Sequence, residues 1–331
     1  MRTLFETSGE HPSLPISEIK ACLSAYNVNF RELESKGVFI ADVEATEDML
    51  KKIAGRLAFS YSVNEIVAEG SVGEVEQRIC EADFGKGKTF GIGGKKFRED
   101  LSLSYLKKRL GAAIKEKKNL DVELKNPEIK LNIFAVGKIY LCREIARVDR
   151  KKFERRKPQH RPFSSPISIH PKIARALVNL SRITEEKTLL DPFCGTGGIL
   201  IEAGMVGARV IGVDIKEKIV EGCRKNLEYY GIKNYVMCNE DSTTLDIEGV
   251  DAVVSDLPYG RSTYIGGDME ELYDAAFARI SSWLGQDSFA VLGLPDKNFV
   301  EMGEKYLRLE EVHVMRVHKS LTRYFCVYRK A

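Results

Sequence analysis

Residues 187–198 read KTLLDPFCGTGG, and the reading of this stretch decides the fold. Its apolar run stops at a carboxylate, Asp191, the profile of a short strand covered on both faces. CGTGG then forms a glycine-rich turn into the helical pattern ILIEAGMVG, and ARVIGVD is a second strand ending at Asp214, 23 residues beyond Asp191. Glycines in such a turn let the backbone approach a ligand and leave the helix's free N–H groups pointing at it. An acidic residue closing the second strand is placed to bind the two hydroxyls of a ribose. Working outward, helices are expected over Pro171–Ser181 and Lys216–Tyr230. A strand NYVMCN runs up to Glu240 and Asp241, and another opens DAVVSDLPYG, residues 251–260. This alternation predicts an α/β fold from about residue 162 onward, with a mostly parallel sheet that collects its ligands at the strands' C-terminal ends.

The loop itself separates the candidate cofactors. A nicotinamide-binding turn is G-x-G-x-x-G, whereas DPFCGTGG puts a carboxylate ahead of its glycines and has no third glycine in register. That carboxylate would repel a pyrophosphate and attract the ammonium of a methionine-like tail, which points to S-adenosylmethionine. Asp256, Pro258 and Tyr259, just past the end of their strand, suit chemistry on a nucleobase amine. The carboxylate accepts hydrogen bonds from the amine, the proline fixes φ and aims neighbouring carbonyls, and the tyrosine offers a ring face. Taken alone, D-x-P-Y reads equally well as an ordinary turn with a capping aspartate. Cys194 is expected to pack within the cofactor loop, Trp283 to end a packed helix, and the dispersed His160, His170, His313 and His318 to have no catalytic part.

At 331 residues, 44 % hydrophobic and 30 % charged, the chain has a globular balance spread over more than one core. MRTLFETSGEHP lacks a signal peptide's apolar segment and no 18-residue apolar run occurs, so a cytoplasmic protein without membrane association is expected. Seven cysteines without a C-x-x-C pair argue against a zinc site or a disulfide framework, and no metal is expected.

The net charge of +3 conceals a segregation. Lys plus Arg against Asp plus Glu run 8 to 15 over residues 1–85, 23 to 9 over 86–161, and 20 to 24 over 162–331. An excess of 14 positive charges between two acidic segments is the footprint of a polyanion-binding surface. It is densest in RVDRKKFERRKPQHR, residues 147–161, although a charge run of this kind also reads as a solvated linker.

Residues 1–62 read as a small α+β unit: strand LFETS, helix Pro15–Tyr26, strand GVFIADV, helix Thr46–Arg56 capped by Thr46, and strand LAFSYSV. Residues 63–147 repeat the mixed pattern. NEIVAEG precedes a helix over Val72–Cys80, the glycine-interrupted strand KTFGIGGKKF, a basic helix over Leu101–Lys118, and two alternating strands that meet at a turn over Val136–Lys138. Lys107, Lys108 and Arg109 on the basic helix, with Lys95, Lys96 and Arg98 in the preceding loop, are expected to form one phosphate-facing surface. Arg150, Lys151, Lys152, Arg155, Arg156, Lys157 and Arg161 would extend it through a basic linker.

The phrase VELKNPEIKLNIFAVGKIYL resembles the THUMP domain, an RNA-binding module of tRNA-modifying enzymes. Residues 162–331 resemble the class I Rossmann-fold methyltransferases that act on exocyclic amines of nucleic acids. In that comparison DPFCGTGG is similar to their first motif, VIGVD to the acidic ribose motif, EDS to the adenine-contacting motif, and DLPY to a variant of their [DN]-P-P-[FYW] motif. Together the two halves resemble the archaeal tRNA guanine-10 N2-methyltransferase family. RPFSSPISIHPKIARALVNLS and HKSLTRYFCVYRK read like it too, and Leu257 departs from it by replacing the motif's first proline.

The resemblance implies a ferredoxin-like domain over 1–62, THUMP over 63–147, a basic linker over 148–165 and the methyltransferase over 166–331. It further implies a tRNA substrate, a monomer, and a catalytic domain able to bind the cofactor on its own. By the same resemblance Asp191, Cys194, Gly195, Thr196, Gly197, Asp214, Ile215, Asp241 and Ser242 hold S-adenosylmethionine. Asp256, Leu257, Pro258 and Tyr259 perform the transfer, and Arg261 meets the flanking phosphate. Amine methylation at another RNA position, or RNA binding without catalysis, stays open at this level.

Overall fold

In the computed structural model, which describes residues 1–35, 37–96, 102–165, 168–259, 269–318 and 321–331, the chain forms two compact units. Met1–Glu10, Val28–Gly55 and Ser60–Asp149 make the first; His11–Asn27, Arg56–Phe59 and Arg150–Ala331 make the second. In chain order the first half contributes β1 (Arg2–Thr7), α1 (Leu14–Ala25), β2 (Phe30–Glu34), β3 (Phe39–Val43), α2 (Glu47–Arg56) and β4 (Ser60–Gly70). It continues with α3 (Val72–Arg78), β5 (Thr89–Lys96), α4 (Leu103–Lys118), β6 (Asp121–Val122), β7 (Ile129–Val136) and β8 (Lys138–Arg147).

The strands of the first unit form one mixed sheet ordered β2-β3-β1-β4-β8-β7-β5-β6. The boundary expected at residue 62 therefore falls inside β4, which pairs with β1 on one side and β8 on the other. Asn64 made that strand look like two. A polar residue inside an apolar run reads as a break, but here it is fully buried and satisfied: its amide donates to the Leu4 carbonyl (3.2 Å) and Ser62 Oγ (3.0 Å), and its Oδ1 accepts from Asn132 Nδ2 (3.0 Å). One apolar cluster accordingly mixes the two expected domains, joining Leu4, Val38 and Ile40 to Phe134, Tyr140 and Cys142.

The second half adds α5 (Lys151–Arg155), a 3-10 turn (Pro158–His160), α6 (Pro171–Leu180), β9 (Thr188–Asp191), α7 (Gly198–Gly204), β10 (Arg209–Val213) and α8 (Glu217–Tyr229). After these come β11 (Tyr235–Cys238), β12 (Val250–Asp256), α9 (Met269–Trp283), β13 (Leu284–Leu294), α10 (Lys297–Gly303), β14 (Arg308–His318) and β15 (Leu321–Arg329). The sheet order is β11-β10-β9-β12-β13-β15-β14; the first five strands run parallel, and β15 lies antiparallel to both neighbours. This is the doubly wound class that the alternation predicts, closed by an antiparallel hairpin.

Two segments depart from the expected division. Helix α1, assigned by sequence to an N-terminal domain, packs in the second unit. There the fully buried Glu18 accepts from the Ala58 and Phe59 N–H groups (2.8 and 2.9 Å) and from Asn179 Nδ2 (2.8 Å). The stretch expected to be a basic linker is also part of this core. Phe153 is buried, and Arg156 pairs through Nε and Nη2 with both oxygens of the buried Glu202, at 2.7 and 2.9 Å. Arg175 adds a second guanidinium to Glu202 at 2.9 Å. Arg156, and Arg161 beside it, were expected among the RNA ligands but are buried and bonded within the protein: Arg161 Nε donates to the Arg156 carbonyl at 3.1 Å. A buried carboxylate needs such partners, and the charge run supplied them.

Candidate active site

Strand order reverses between β9 and β12, where Leu190 stands opposite Val253, so Asp191 and Asp256 leave the sheet as neighbours. Asp191 is buried; its Oδ1 accepts from Ser255 Oγ (2.7 Å) and the Phe193 N–H (3.2 Å). Burial pushes its carboxyl up to about 7, those two hydrogen bonds offset part of the rise, and the nearby Asp256 and Asp214 charges add to it.

The glycine turn follows directly. Gly195 and Gly197 have φ of +49° and +81°, the left-handed region that glycine tolerates. A Cβ at Gly197 would lie 2.5 Å from Cys223 Sγ, whereas one at Gly195 would meet nothing within 4 Å and would project into open space beside the loop. Gly197 thus serves packing, and Gly195 leaves a cradle for a ligand. Asn226 braces the turn from behind: Nδ2 donates to the Thr196 and Phe163 carbonyls (2.9 and 2.7 Å) while Oδ1 accepts from the Phe163 N–H (2.9 Å).

Asp214 accepts the Lys216 N–H at 2.9 Å, and burial raises its carboxyl above its ordinary value against that bond and one from the Gly195 N–H. Ile215 beside it is 66 % exposed, an apolar side chain left at a cavity mouth. Asp241 closes its own turn by accepting the Thr243 N–H and hydroxyl (2.9 and 2.7 Å), and the buried Ser242 hydroxyl donates to the Pro192 carbonyl.

Past β12, the Leu257 N–H donates to the Gly293 carbonyl (3.1 Å), and its side chain, 1 % exposed, packs into the core that a proline ring would otherwise reach. The Pro258 carbonyl accepts from Tyr273 Oη at 2.8 Å; Tyr273 is itself buried and stacked on Phe299 at 4.0 Å. Asp256 Oδ1 lies 2.7 Å from Arg323 Nη2, and the same guanidinium sits 3.3 Å over the centroid of the Tyr259 ring. Burial raises the Asp256 carboxyl above its ordinary value and the Arg323 charge pulls it back.

One cavity of about 340 Å³ gathers Asp191, Cys194, Gly195, Thr196, Asp214, Ile215, Asp241, Ser242, Asp256, Leu257, Pro258 and Tyr259. Of the residues expected to face cofactor or base, Gly197 stands behind the wall, which its neighbour Gly198 lines instead. The carboxylates at three strand ends, the open cradle at Gly195 and the apolar Ile215 at the mouth fit a ligand that carries an ammonium, a ribose and an adenine. Sequence reasoning missed Ser165, Ser168, Ile169, Phe193 and Leu272 on the wall, and Arg323. Ser168 shares a 3.0 Å hydrogen bond with Thr196 Oγ1; its signal was the small polar run ahead of α6, and that of Arg323 was the family-like stretch HKSLTRYFCVYRK, which singles out no residue.

The basic residues expected to meet phosphate differ in exposure and in local partners. Lys108 and Arg109 are exposed on α4, Lys107 is half-buried there, and Arg109 is paired with Glu76 at 2.8 Å. Lys95 and Lys96 belong to β5 rather than a loop, with Lys95 Nζ 5.3 Å from the Tyr61 ring centroid. Lys151 and Arg155 are exposed, Arg150 and Lys152 are half-buried, and Lys157 pairs with Glu154 at 2.5 Å. Arg98 and Arg261, and the side chain of Lys96, lie outside the described residues.

A doubly wound sheet with this cavity at its switch point defines a class I methyltransferase, whose methyl donor is S-adenosylmethionine. The RMKL-like methyltransferase domain family matches residues 158–324, and a DNA methylase family matches residues 84–225. The tRNA (guanine(10)-N2)-dimethyltransferase of Methanothermobacter thermautotrophicus is 34 % identical over 329 residues, 98 % of each chain. That of Methanocaldococcus jannaschii is 30 % identical, again with 98 % of each covered. The chain belongs to this archaeal tRNA (guanine(10)-N2)-dimethyltransferase family. The crystal structure of TrmN from Thermus thermophilus shares the fold, with a TM-score of 0.57 at 17 % identity over 99 % of this chain and all of that one. Among the described residues no helix is long and apolar enough to cross a membrane, and no cluster of potential metal ligands occurs.

Proposed function

We propose that this chain methylates the N2 amine of guanine at position 10 of tRNA, adding one methyl group and then a second. The observation that carries the reading is the meeting of the Asp256 carboxylate, held 2.7 Å from Arg323, with the Tyr259 ring at the end of the cofactor cavity. An arginine partner favours the anion, and an anion accepts but does not donate. On its Watson–Crick side guanine sets N1–H beside N2–H, two adjacent donors that one carboxylate can accept together. The adenine edge around N6 sets an acceptor, N1, beside its donor and would face the carboxylate unfavourably.

The donor supplies an electrophilic methyl on a sulfonium. The chain's residues prepare the nucleophile and hold both partners. Asp191 takes the ammonium of the methionine-like tail, Gly195 admits the ligand to the backbone, Asp214 takes the ribose hydroxyls, and Asp241 with Ser242 takes the adenine. Guanine N2 is a poor nucleophile because its lone pair is delocalised into the ring. Asp256 and the Leu257 carbonyl accept its hydrogens so that the lone pair turns toward the methyl; as the N–C bond forms the S–CH3 bond breaks, its electron pair stays on the sulfur as a thioether, and the amine's surplus proton leaves along the hydrogen bond to Asp256. The Pro258 carbonyl is held by Tyr273 and fixes the turn. Tyr259 stacks on the base, a contact worth roughly 1–3 kcal/mol. A paired guanine must leave its helix first, at a cost of a few kcal/mol that RNA contacts elsewhere offset.

Those contacts we assign to the first unit, read as a ferredoxin-like and THUMP region that shares one sheet, and to α5 of the second. Lys95, Lys107, Lys108 and Arg109 of the first and Lys151 and Arg155 of the second are the candidate phosphate ligands. The same reading has the protein acting as a monomer in the cytoplasm. The test uses purified protein, methyl-labelled S-adenosylmethionine and tRNA transcripts with guanine or adenine at position 10, followed by nucleoside mapping. Label in N2-methylguanosine that disappears when position 10 is adenine is expected; label on adenine, or retained in that transcript, contradicts the proposal.

A further inference from the structure

Arg323 reaches this site from β15, within the stretch HKSLTRYFCVYRK, to none of whose residues the sequence assigned a role. It lies on β15, 67 residues beyond Asp256, and is 2 % exposed. The route is set by register. Asp256 stands opposite Gly293 on β13, and Gly293 stands opposite Phe325 on β15. Gly293 has no side chain to fill the gap; a Cβ there would come within 2.4 Å of Asp256 Oδ1 and 3.2 Å of the Phe325 ring. The Asp256 carboxylate and the Phe325 ring take that space, and the Arg323 guanidinium touches both ends of the motif, Asp256 at 2.7 Å and the Tyr259 ring centroid at 3.3 Å. Tyr259 lines the cavity and Arg323 does not.

We propose that Arg323 is a positioning residue for methyl transfer, clamping the Asp256–Tyr259 turn by pairing with its carboxylate and stacking under its ring. This rests on the nucleobase-amine reading above. A planar cation can do both at once: its edge meets a carboxylate while its face lies on an aromatic ring. The result is a layered arrangement in which the guanidinium supports the ring and the ring supports the base. Other groups facing Asp256 do not duplicate this. Asp191 on β9 is of like charge, Tyr273 on α9 is neutral and holds the Pro258 carbonyl, and β13 offers only Gly293.

The test compares the full-length protein with Arg323→Met and Arg323→Lys. It measures single-turnover transfer to tRNA as a function of pH, with S-adenosylhomocysteine affinity by calorimetry as a control for folding. The active form of Asp256 is the carboxylate, so activity falls as pH drops through its titration, and removing the arginine charge moves that acid limb to higher pH. Arg323→Met should slow transfer about 100-fold at neutral pH and shift the limb upward by about one unit, with cofactor affinity retained. Arg323→Lys keeps the charge but not the plane, so it should restore the limb and leave the rate low. Transfer by Arg323→Met within twofold of the parent with an unmoved limb overturns the proposal. So does equal loss of cofactor affinity in both variants, which would make the residue purely structural. If the parent labels a different nucleoside, the guanine assignment fails, and the variants are compared on that product instead.

Discussion

At the scale of single residues, burial raises the carboxyls of Asp191, Asp214 and Asp256 along the cavity, Asp191 the only one of the three that is fully buried. Burial pushes the Asp191 carboxyl up to about 7. An ammonium in that position needs the carboxylate, so binding in mildly acid solution must first release a proton. Affinity for S-adenosylhomocysteine is therefore expected to fall by up to about tenfold for each pH unit below 7 and to level off above it. Calorimetry in buffers of different ionisation enthalpy should show proton release near pH 6. Asp191→Asn should bind more weakly at neutral pH and lose most of the dependence. A flat profile in the parent protein would remove Asp191 from the ammonium role.

At the scale of elements, the segment around α5 shows how misleading local charge can be. RVDRKKFERRKPQHR carries eight basic residues, yet Arg156 and Arg161 turn inward while Lys151 and Arg155 stay exposed. What decides between them is Glu202 on α7, a buried carboxylate that takes Arg156 from one side and Arg175 on α6 from the other. Arg156→Ala leaves that carboxylate short of a partner in a place water does not reach. We expect it to destabilise the protein by about 3–5 kcal/mol in denaturant unfolding, with the salt dependence of tRNA binding unchanged in the folded protein. Lys108→Glu on α4 should do the reverse, reducing the salt slope with little effect on stability. A reversed pattern would mean that Arg156 meets RNA after all.

At the scale of the whole molecule, the catalytic unit is discontinuous in sequence. His11–Asn27 and Arg56–Phe59 belong to it, and Leu14, Ala21, Ala58 and Phe59 share one apolar cluster with α6, α7 and β9. A fragment of residues 162–331, which sequence reasoning expected to bind cofactor alone, would lack these groups along with Phe153 and Arg156. It would also leave Glu202 and Asn179 without partners they hold in the intact chain. The fragment should show no cooperative thermal transition and no S-adenosylhomocysteine binding, whereas the full chain shows both. Binding by the fragment at full-chain affinity would show that the N-terminal contribution is dispensable.

Much of this was legible in the chain, because the features concerned are local. A strand that ends on Asp191 and runs into glycines, a second that ends on Asp214, and a third that ends on DLPY each carry their own signal within a dozen residues. Parallel strands then bring such ends to one edge whatever the intervening helices are. The N-terminal division was not legible, because Asn64 breaks a pattern without breaking a strand, and α1 is an ordinary amphipathic helix whose partner no local rule names. Nor was Arg323, whose meaning depends on three adjacent strands in register and on the missing side chain of Gly293. The sequence by itself determined the fold class, the methyl donor and the acidic ends that face it. The tertiary structure alone decided which cations serve the core and which one serves the reaction, since a charge acquires its role from the partner that burial forces upon it.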